Sequence, residues 1–229
     1  PMNRFMIVVK PDKDTDSIVT NRIQSYLEAH GAACMVRDVF HLESSDWEAL
    51  KKEQFDCVLV LGGDGTLLRM AGETEDIDIP LFGINLGTVG FLTEGEVANI
   101  EEILDRLLTD DFTIEERMMV TGTVTKADGT TYRKSALNDI VISRAGFSRL
   151  IGLNVSVDGQ VLDTYEADGV VISTPTGSTG YNLSAGGPIV SPDAELLVIT
   201  PVSPHSLTAK SIVLSGKEEI TIEITKKRK

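Results

Sequence analysis

The chain is poor in cysteine, in positive charge and in long apolar runs, and each shortage closes off a class of protein. Its two cysteines, Cys34 and Cys57, both lie inside apolar stretches. They read as buried free thiols, which suits a reducing cytoplasm better than a disulfide framework. No stretch approaches the roughly 20 consecutive apolar residues that a spanning helix needs. Pro1-Met2-Asn3-Arg4 runs straight into a strand-forming stretch, so neither a membrane anchor nor a secretory leader is expected. Lysine and arginine number 21 against 35 acidic residues, a net charge of −14. A nucleic-acid footprint needs a basic face, and the short run from Lys226 to Lys229 reads as a solvated terminus. Nucleotide ligands stay open, because backbone amides and a metal can hold phosphate on an acidic protein. There is no internal repeat and no low-complexity segment.

What is present is enough apolar residue, 41% of 229, for one large domain or two small ones. Phe5 to Val9 is a continuous apolar run suited to a strand covered on both faces. Asp14, Thr15 and Asp16 offer caps for a helix carrying Val19, Ile23, Tyr26, Leu27 and His30, and Gly31 ends it. Cys34 to Val36 is a short strand; Trp47 and Leu50 mark an amphipathic turn in an acidic stretch. Ile79 to Ile84 reads as a strand interrupted by Pro80, and a helix buries Ile100, Ile103, Leu104, Leu107 and Leu108. Strands alternating with helices to about residue 110 predict a mostly parallel sheet. From Thr113 on, short β-type runs are joined by turns such as Asp128-Gly129 and Asp158-Gly159. The expected architecture is an α/β Rossmann-like domain over residues 1–112, followed by a β-rich, sandwich-like domain over residues 113–229.

The stretch with the most chemistry is Val58-Leu59-Val60-Leu61-Gly62-Gly63-Asp64-Gly65-Thr66-Leu67-Leu68. A strand stops at two glycines, one carboxylate follows, and a helix begins. In open α/β sheets ligands bind at the carboxyl ends of strands, and glycines there let backbone N–H groups approach a phosphate. Asn85-Leu86-Gly87-Thr88-Val89-Gly90-Phe91-Leu92 is a second glycine-rich loop. The segment from Asp168 to Tyr181 repeats the logic: an apolar strand ends in Ser173-Thr174-Pro175-Thr176-Gly177-Ser178-Thr179-Gly180, rich in hydroxyls. Ser178 or Thr179 could equally cap a helix there. Asn138-Asp139, before another apolar run, fits a turn as well as a pair that holds ligand hydroxyls.

These motifs, in this order, resemble the NAD kinase family. The Gly-Gly-Asp-Gly-Thr turn alone is shared with a wider superfamily of diacylglycerol and sphingosine kinases and resembles 6-phosphofructokinases. The discriminating feature is its combination with the Asn85-to-Phe91 loop, Asn138-Asp139, the Asp168-to-Thr179 segment, Ala185-Gly186-Gly187-Pro188 and Pro204-His205-Ser206-Leu207. The resemblance covers residues 55–216 well and the first 50 residues in layout. It implies transfer of the terminal phosphoryl of ATP to the adenosine-ribose 2′-hydroxyl of NAD, giving NADP, with Mg²⁺ or another divalent cation on the phosphates. It implies Asp64 as general base, with Gly63, Gly65 and Thr66 at the phosphates. Asn138, Asp139 and Asp168 would hold NAD, the last on the nicotinamide riboside side. Thr176 and the segment Thr179, Gly180, Tyr181, Asn182 and Ser184 would line the adenosine, with Tyr181 as aromatic platform. Phe91 fits an adenine contact or the core. Arg69 fits a phosphate contact or a solvated helix face, and Arg149 in its loop is similar.

The chain departs from the family pattern at two positions. Glu166 stands where many members have Arg or Gly, which touches discrimination between NAD and NADH. Gly180 stands where Ala is usual. Members also typically run some tens of residues past the position of Lys229, so a C-terminal tail is expected to be missing. The family implies a cytoplasmic homodimer or homotetramer. Metal ligands stay unassigned. A lipid kinase of the same superfamily and a non-catalytic NAD(P) sensor are the alternatives; the acidic charge speaks against the first and the presence of Asp64 against the second.

Overall fold

The structure, a computed structural model, describes residues 1–146 and 150–225. The chain divides into two units, Pro1–Glu115 and Glu116–Lys229.

The first unit is built on a parallel sheet. Its elements are β1 (Arg4–Val9), α1 (Ile18–Ala29), β2 (Ala33–Asp38), α2 (Ser44–Lys52), β3 (Cys57–Gly62), α3 (Asp64–Glu73), β4 (Leu81–Asn85), β5 (Gly95–Glu96) and α4 (Ile100–Leu108). The strands lie in the order β2-β1-β3-β4-β5, all parallel. Alternate residues of β1 and β3 bury on opposite faces. Phe5, Ile7, Val9, Leu59 and Leu61 pack with Ile23 and Leu27 of α1 and Ile100 and Leu104 of α4. Met6, Val8, Val58 and Val60 pack with Leu50 of α2 and Leu67 and Met70 of α3. Two buried faces explain why these strands are apolar at every position instead of every second one. Pro80 lies just before β4, where its missing N–H costs no ladder bond and its carbonyl accepts from the Val58 N–H. The two-residue β5 carries no periodicity and was not legible in the sequence.

Chain order and spatial order differ at one place that matters. From β1 the chain moves outward to β2, then returns past β1 to β3. The gap between the carboxyl ends of β1 and β3 is the switch point, where open α/β sheets bind ligands.

The second unit is antiparallel. Its elements are β6 (Val120–Thr125), β7 (Thr131–Ala136), β8 (Asp139–Ser143), β9 (Ile151–Val157), β10 (Gln160–Ala167), β11 (Gly169–Ser173), α5 (Tyr181–Ser184), β12 (Leu196–Val202), β13 (Ile212–Ser215) and β14 (Ile220–Thr225). They form sheets β10-β9-β14 and β13-β12-β11-β8 and the hairpin β6-β7. Leu153 and Val155 of β9, Tyr165 and Ala167 of β10, Val170 and Ile172 of β11 and Leu197 and Ile199 of β12 make one core. The i, i+2 spacing within each strand is that of sheets packed face to face. The α/β unit followed by a β-rich unit is the expected fold class.

Among the described residues no helix is long and apolar enough to cross a membrane. The start of α1 differs in detail from the expected cap. Asp16 and Ser17 both have φ of 55°, and Asp14 reaches over them. Its buried carboxylate accepts from the N–H of Val19 (3.0 Å) and Thr20 (2.8 Å) and from the Thr20 hydroxyl (2.6 Å). Asp14→Ala is expected to cost about 1–2 kcal/mol, as lost helix caps do, read as a fall in the urea midpoint at unchanged slope.

Candidate functional site

Asp64 is the first residue of α3, directly after the carboxyl end of β3. Its side chain does not hang free. Oδ1 accepts from the N–H groups of Leu92 and Thr93, each at 3.1 Å, and from the Thr93 hydroxyl at 3.2 Å. Among the described residues, Oδ2 accepts from the Phe91 N–H alone, at 2.8 Å. A carboxylate offers about four lone-pair positions, two per oxygen, so Oδ1 is saturated and Oδ2 has room for one more donor. Burial pushes the Asp64 carboxyl upward, but the hydrogen bonds from Phe91, Leu92 and Thr93 outweigh it and leave the pKa below the ordinary carboxylate value. The group is therefore an anion with one open acceptor position. Gly90 makes this geometry possible: a Cβ there would lie 2.2 Å from Asp64 Oδ1. Phe91 is 87% exposed, so its side chain is not a core residue.

A groove of about 260 Å³ opens at the switch point, lined by residues from the ends of three strands. Lys10 and Lys13 follow β1, Val39 and Phe40 follow β2, and Gly63, Gly65, Thr66 and Arg69 follow β3. The first-turn N–H groups of a helix have no intrahelical partner and attract anions. Three cations, Lys10, Lys13 and Arg69, stand beside such a turn, an arrangement that favours an anion. Gly63, Gly65 and Thr66 line the groove as well. Lys10, Lys13, Val39 and Phe40 escaped sequence reasoning, since nothing local marks a lysine or phenylalanine as lying near a glycine turn more than 20 residues away. Strand order brings them together, and strand order is not written in any one segment.

In the second unit the motif residues fall into two groups at opposite ends of the β8–β11 ladder. Asp139 pairs with Ser173 at one end, and Ser143 with Gly169 at the other. Four residues at ~3.4 Å each separate the ends by about 14 Å. At the first end, Thr174 N–H donates to the Asn138 carbonyl at 2.9 Å, and the turn at Gly177 packs so close that a Cβ would meet the Asn138 carbonyl oxygen at 2.0 Å. Gly180 faces the Asn138 amide nitrogen. Thr179, Tyr181 and Ser184 are exposed nearby, while Thr176 is buried and receives a hydrogen bond from Arg117 at 3.3 Å. Among the described residues, Asn138 Oδ1 is the buried side-chain polar atom with no hydrogen-bond partner. Beside it, burial raises the Asp139 carboxyl. A buried acceptor with no partner costs stability unless a ligand donor meets it.

At the other end, Asp168 accepts from Arg144 Nε at 2.8 Å. Glu166 is exposed beside a cavity of about 90 Å³ that it shares with Asp163, Pro204, Ser206 and Thr208. Asn182 takes a different place from the expected adenosine lining. It is fully buried, its amide donates to the carbonyls of Ser178 (3.0 Å) and Pro188 (2.9 Å), and its carbonyl accepts from the Thr200 hydroxyl (2.6 Å). It holds the loop together. Ser178 is not a helix cap; its hydroxyl exchanges hydrogen bonds with the backbone of Val190. Arg149 lies outside the described residues. Arg117 and Arg144, the partners of Thr176 and Asp168, carry no motif that would have singled them out.

Among the described residues no group of three or more His, Cys, Asp or Glu side chains could hold a metal ion.

Residues 5–112 match the family model described as the ATP-NAD kinase N-terminal domain, and residues 137–229 match the ATP-NAD kinase C-terminal domain. An NAD kinase of Lachnoclostridium phytofermentans is 44% identical over 232 residues, an alignment covering all of this chain and 81% of that protein. One from Agathobacter rectalis is 44% identical, covering 99% of this chain and 80% of the relative. Yeast NADH kinase solved with NADH superposes with a TM-score of 0.82 at 26% identity, over 98% of this chain and 72% of its own. An Archaeoglobus fulgidus NAD kinase solved with ATP gives 0.79 at 29% identity, over 96% of this chain and 80% of its own.

A carboxyl whose folded pKa lies below its unfolded one stabilises the fold at every pH above the unfolded value, and stops doing so as pH falls through the folded value. Wild type should therefore be more stable than Asp64→Asn near neutral pH, with the difference closing as pH drops below the ordinary 3.8. Urea denaturation of both proteins along an acid titration measures this; a difference that stays constant would mean that the charge of Asp64 is not what the loop holds.

Proposed function

We propose residue roles from one premise: this chain belongs to the NAD kinase family. It is an NAD kinase, a phosphotransferase that uses ATP and NAD(H). The observation that carries the assignment of roles is the ionised Asp64 carboxylate with its one open position on Oδ2.

In this reading the adenosine-ribose 2′-oxygen of NAD attacks the terminal phosphorus of ATP. The bond from that phosphorus to the β–γ bridging oxygen breaks, its electron pair leaves with ADP, and NADP forms. The hydroxyl proton passes to Asp64 Oδ2. A carboxylate of lowered pKa is a weak base, but in phosphoryl transfer the nucleophile becomes acidic only as its bond to phosphorus forms. Remaining an anion before that moment matters more than basicity. The Phe91, Leu92 and Thr93 donors keep it charged and fix its direction. Gly63, Gly65, Thr66 and Arg69 meet the donor phosphates. A divalent cation such as Mg²⁺ would be carried by the phosphates of ATP and would supply charge neutralisation there.

The acceptor lies along the β8–β11 ladder. Asn138 Oδ1 and Asp139 accept from adenosine donors, with Thr176, Thr179, Gly180, Tyr181 and Ser184 around them. Asp168, oriented by Arg144, takes the nicotinamide riboside side. The ~14 Å between the ends suits an extended dinucleotide better than a mononucleotide. Asn182 acts on the acceptor only through the loop that it ties. A cytoplasmic setting and assembly into dimers or tetramers complete this reading, on the strength of the family resemblance and of two cysteines that are both free thiols.

Incubation with ATP, Mg²⁺ and NAD should yield NADP. Asp64→Ala is expected to lower kcat by about 10²–10⁴-fold, the usual worth of a general base, with little change in the KM for ATP. A full-strength Asp64→Ala enzyme would remove the base role.

A further inference from the structure

The groove at the switch point holds more than a phosphate site requires. Its cations are only loosely engaged. Lys10 Nζ lies 3.8 Å from Asp12 and Arg69 Nε lies 3.6 Å from Glu73, against roughly 2.8 Å for a charge-assisted hydrogen bond. Lys13 has no ion pair among the described residues. In a chain with 21 basic and 35 acidic residues, three cations on one groove are a local reversal of sign. The same groove is lined by an aromatic ring. Phe40 is 52% exposed, whereas its neighbour Val39 is 2% exposed and belongs to the core. The short helical turn Val39–His41 that carries both is tied down by Asp38. The Asp38 carboxylate accepts from the Phe40 N–H at 2.8 Å and pairs with His41 Nδ1 at 2.9 Å. The pinned turn fixes the backbone that carries the ring, and the ring keeps a face open beside the cations of the groove.

We infer that Phe40 is the platform for the base of the phosphoryl donor, and that it selects a nucleoside triphosphate over inorganic polyphosphate. The inference rests on the proposed placement of donor phosphates at α3. Phosphates alone would need the cations and the helix terminus; a flat apolar face adds nothing to a polyphosphate chain. For a nucleotide it supplies stacking, which is available to any base because every base has a π-face. At about 260 Å³ the groove is smaller than most enclosing ligand pockets. It can seat phosphates and one face of a base while leaving the other face open. Asp14 has a supporting part: by tying the segment after Lys13 to the start of α1, it fixes the loop that carries both lysines.

The test is calorimetric titration of the full chain with ATP and, separately, with inorganic tripolyphosphate. Phe40→Ala should weaken ATP binding roughly tenfold, the scale of one base–aromatic stack, and leave tripolyphosphate binding unchanged. Lys13→Ala should weaken both ligands. Phe40→Trp keeps a ring and should keep ATP affinity. Phe40→Leu keeps apolar bulk without a ring, folds if any variant does, and should behave like Phe40→Ala. Equal effects of Phe40→Ala on the two ligands, or none on ATP, would overturn the inference. NADP formation by the same preparations separates the two levels: selective ATP binding without any NADP would count against the Asp64 role and leave the Phe40 role standing.

Discussion

The hydrogen bonds from residues 91–93 to the Asp64 carboxylate tie together two loops that begin side by side. One leaves β3 and the other leaves β4, neighbouring parallel strands whose carboxyl ends lie side by side. The bonds fix where α3 starts, hold the carboxylate as an anion and leave Oδ2 with one open position. They also account for one glycine of the second loop. Gly90 must lack a side chain because the carboxylate occupies the space. The carboxylate is thus held mainly by main-chain donors, which do not change rotamer, with the Thr93 hydroxyl beside them.

The same sheet order accounts for the groove. Because the chain passes from β1 to β2 and back to β3, three strand ends open toward one place, and the segments after them bring Lys10, Lys13, Phe40 and Arg69 together. The energetic balance there is unusual for this protein. Its overall charge repels anions, while the groove supplies cations, helix-terminal N–H groups and an exposed ring. Long-range repulsion slows the approach of a polyanion, and short-range contacts retain it.

The second unit solves a different problem. The β8–β11 ladder has one polar cluster at each end, and in the proposed reading these clusters take the two ends of the dinucleotide. The ladder's interior is apolar and buried, so hydrogen-bonding groups concentrate where the ladder stops. Asn138 and Asp168 are both strand-end residues for that reason. Asn182, Ser178 and Thr200 form a closed internal set that shapes the loop between β11 and β12.

Much of this was determined by the sequence alone. Uninterrupted apolar runs such as Phe5 to Val9 require a sheet covered on both faces, and alternation over Glu219 to Ile224 requires a half-exposed strand. Gly-Gly-Asp-Gly-Thr after such a run marks a strand end with backbone donors and one carboxylate. These are local properties, written in composition and period, and they hold wherever the segment is placed. What Asp64 touches, which cations face its turn, that Phe40 points outward and that Asn182 points inward were decided only by tertiary structure. Each depends on segments far apart in the chain meeting at a particular register. Periodicity tells a residue which face of its own element it occupies, and strand order alone tells it what lies opposite.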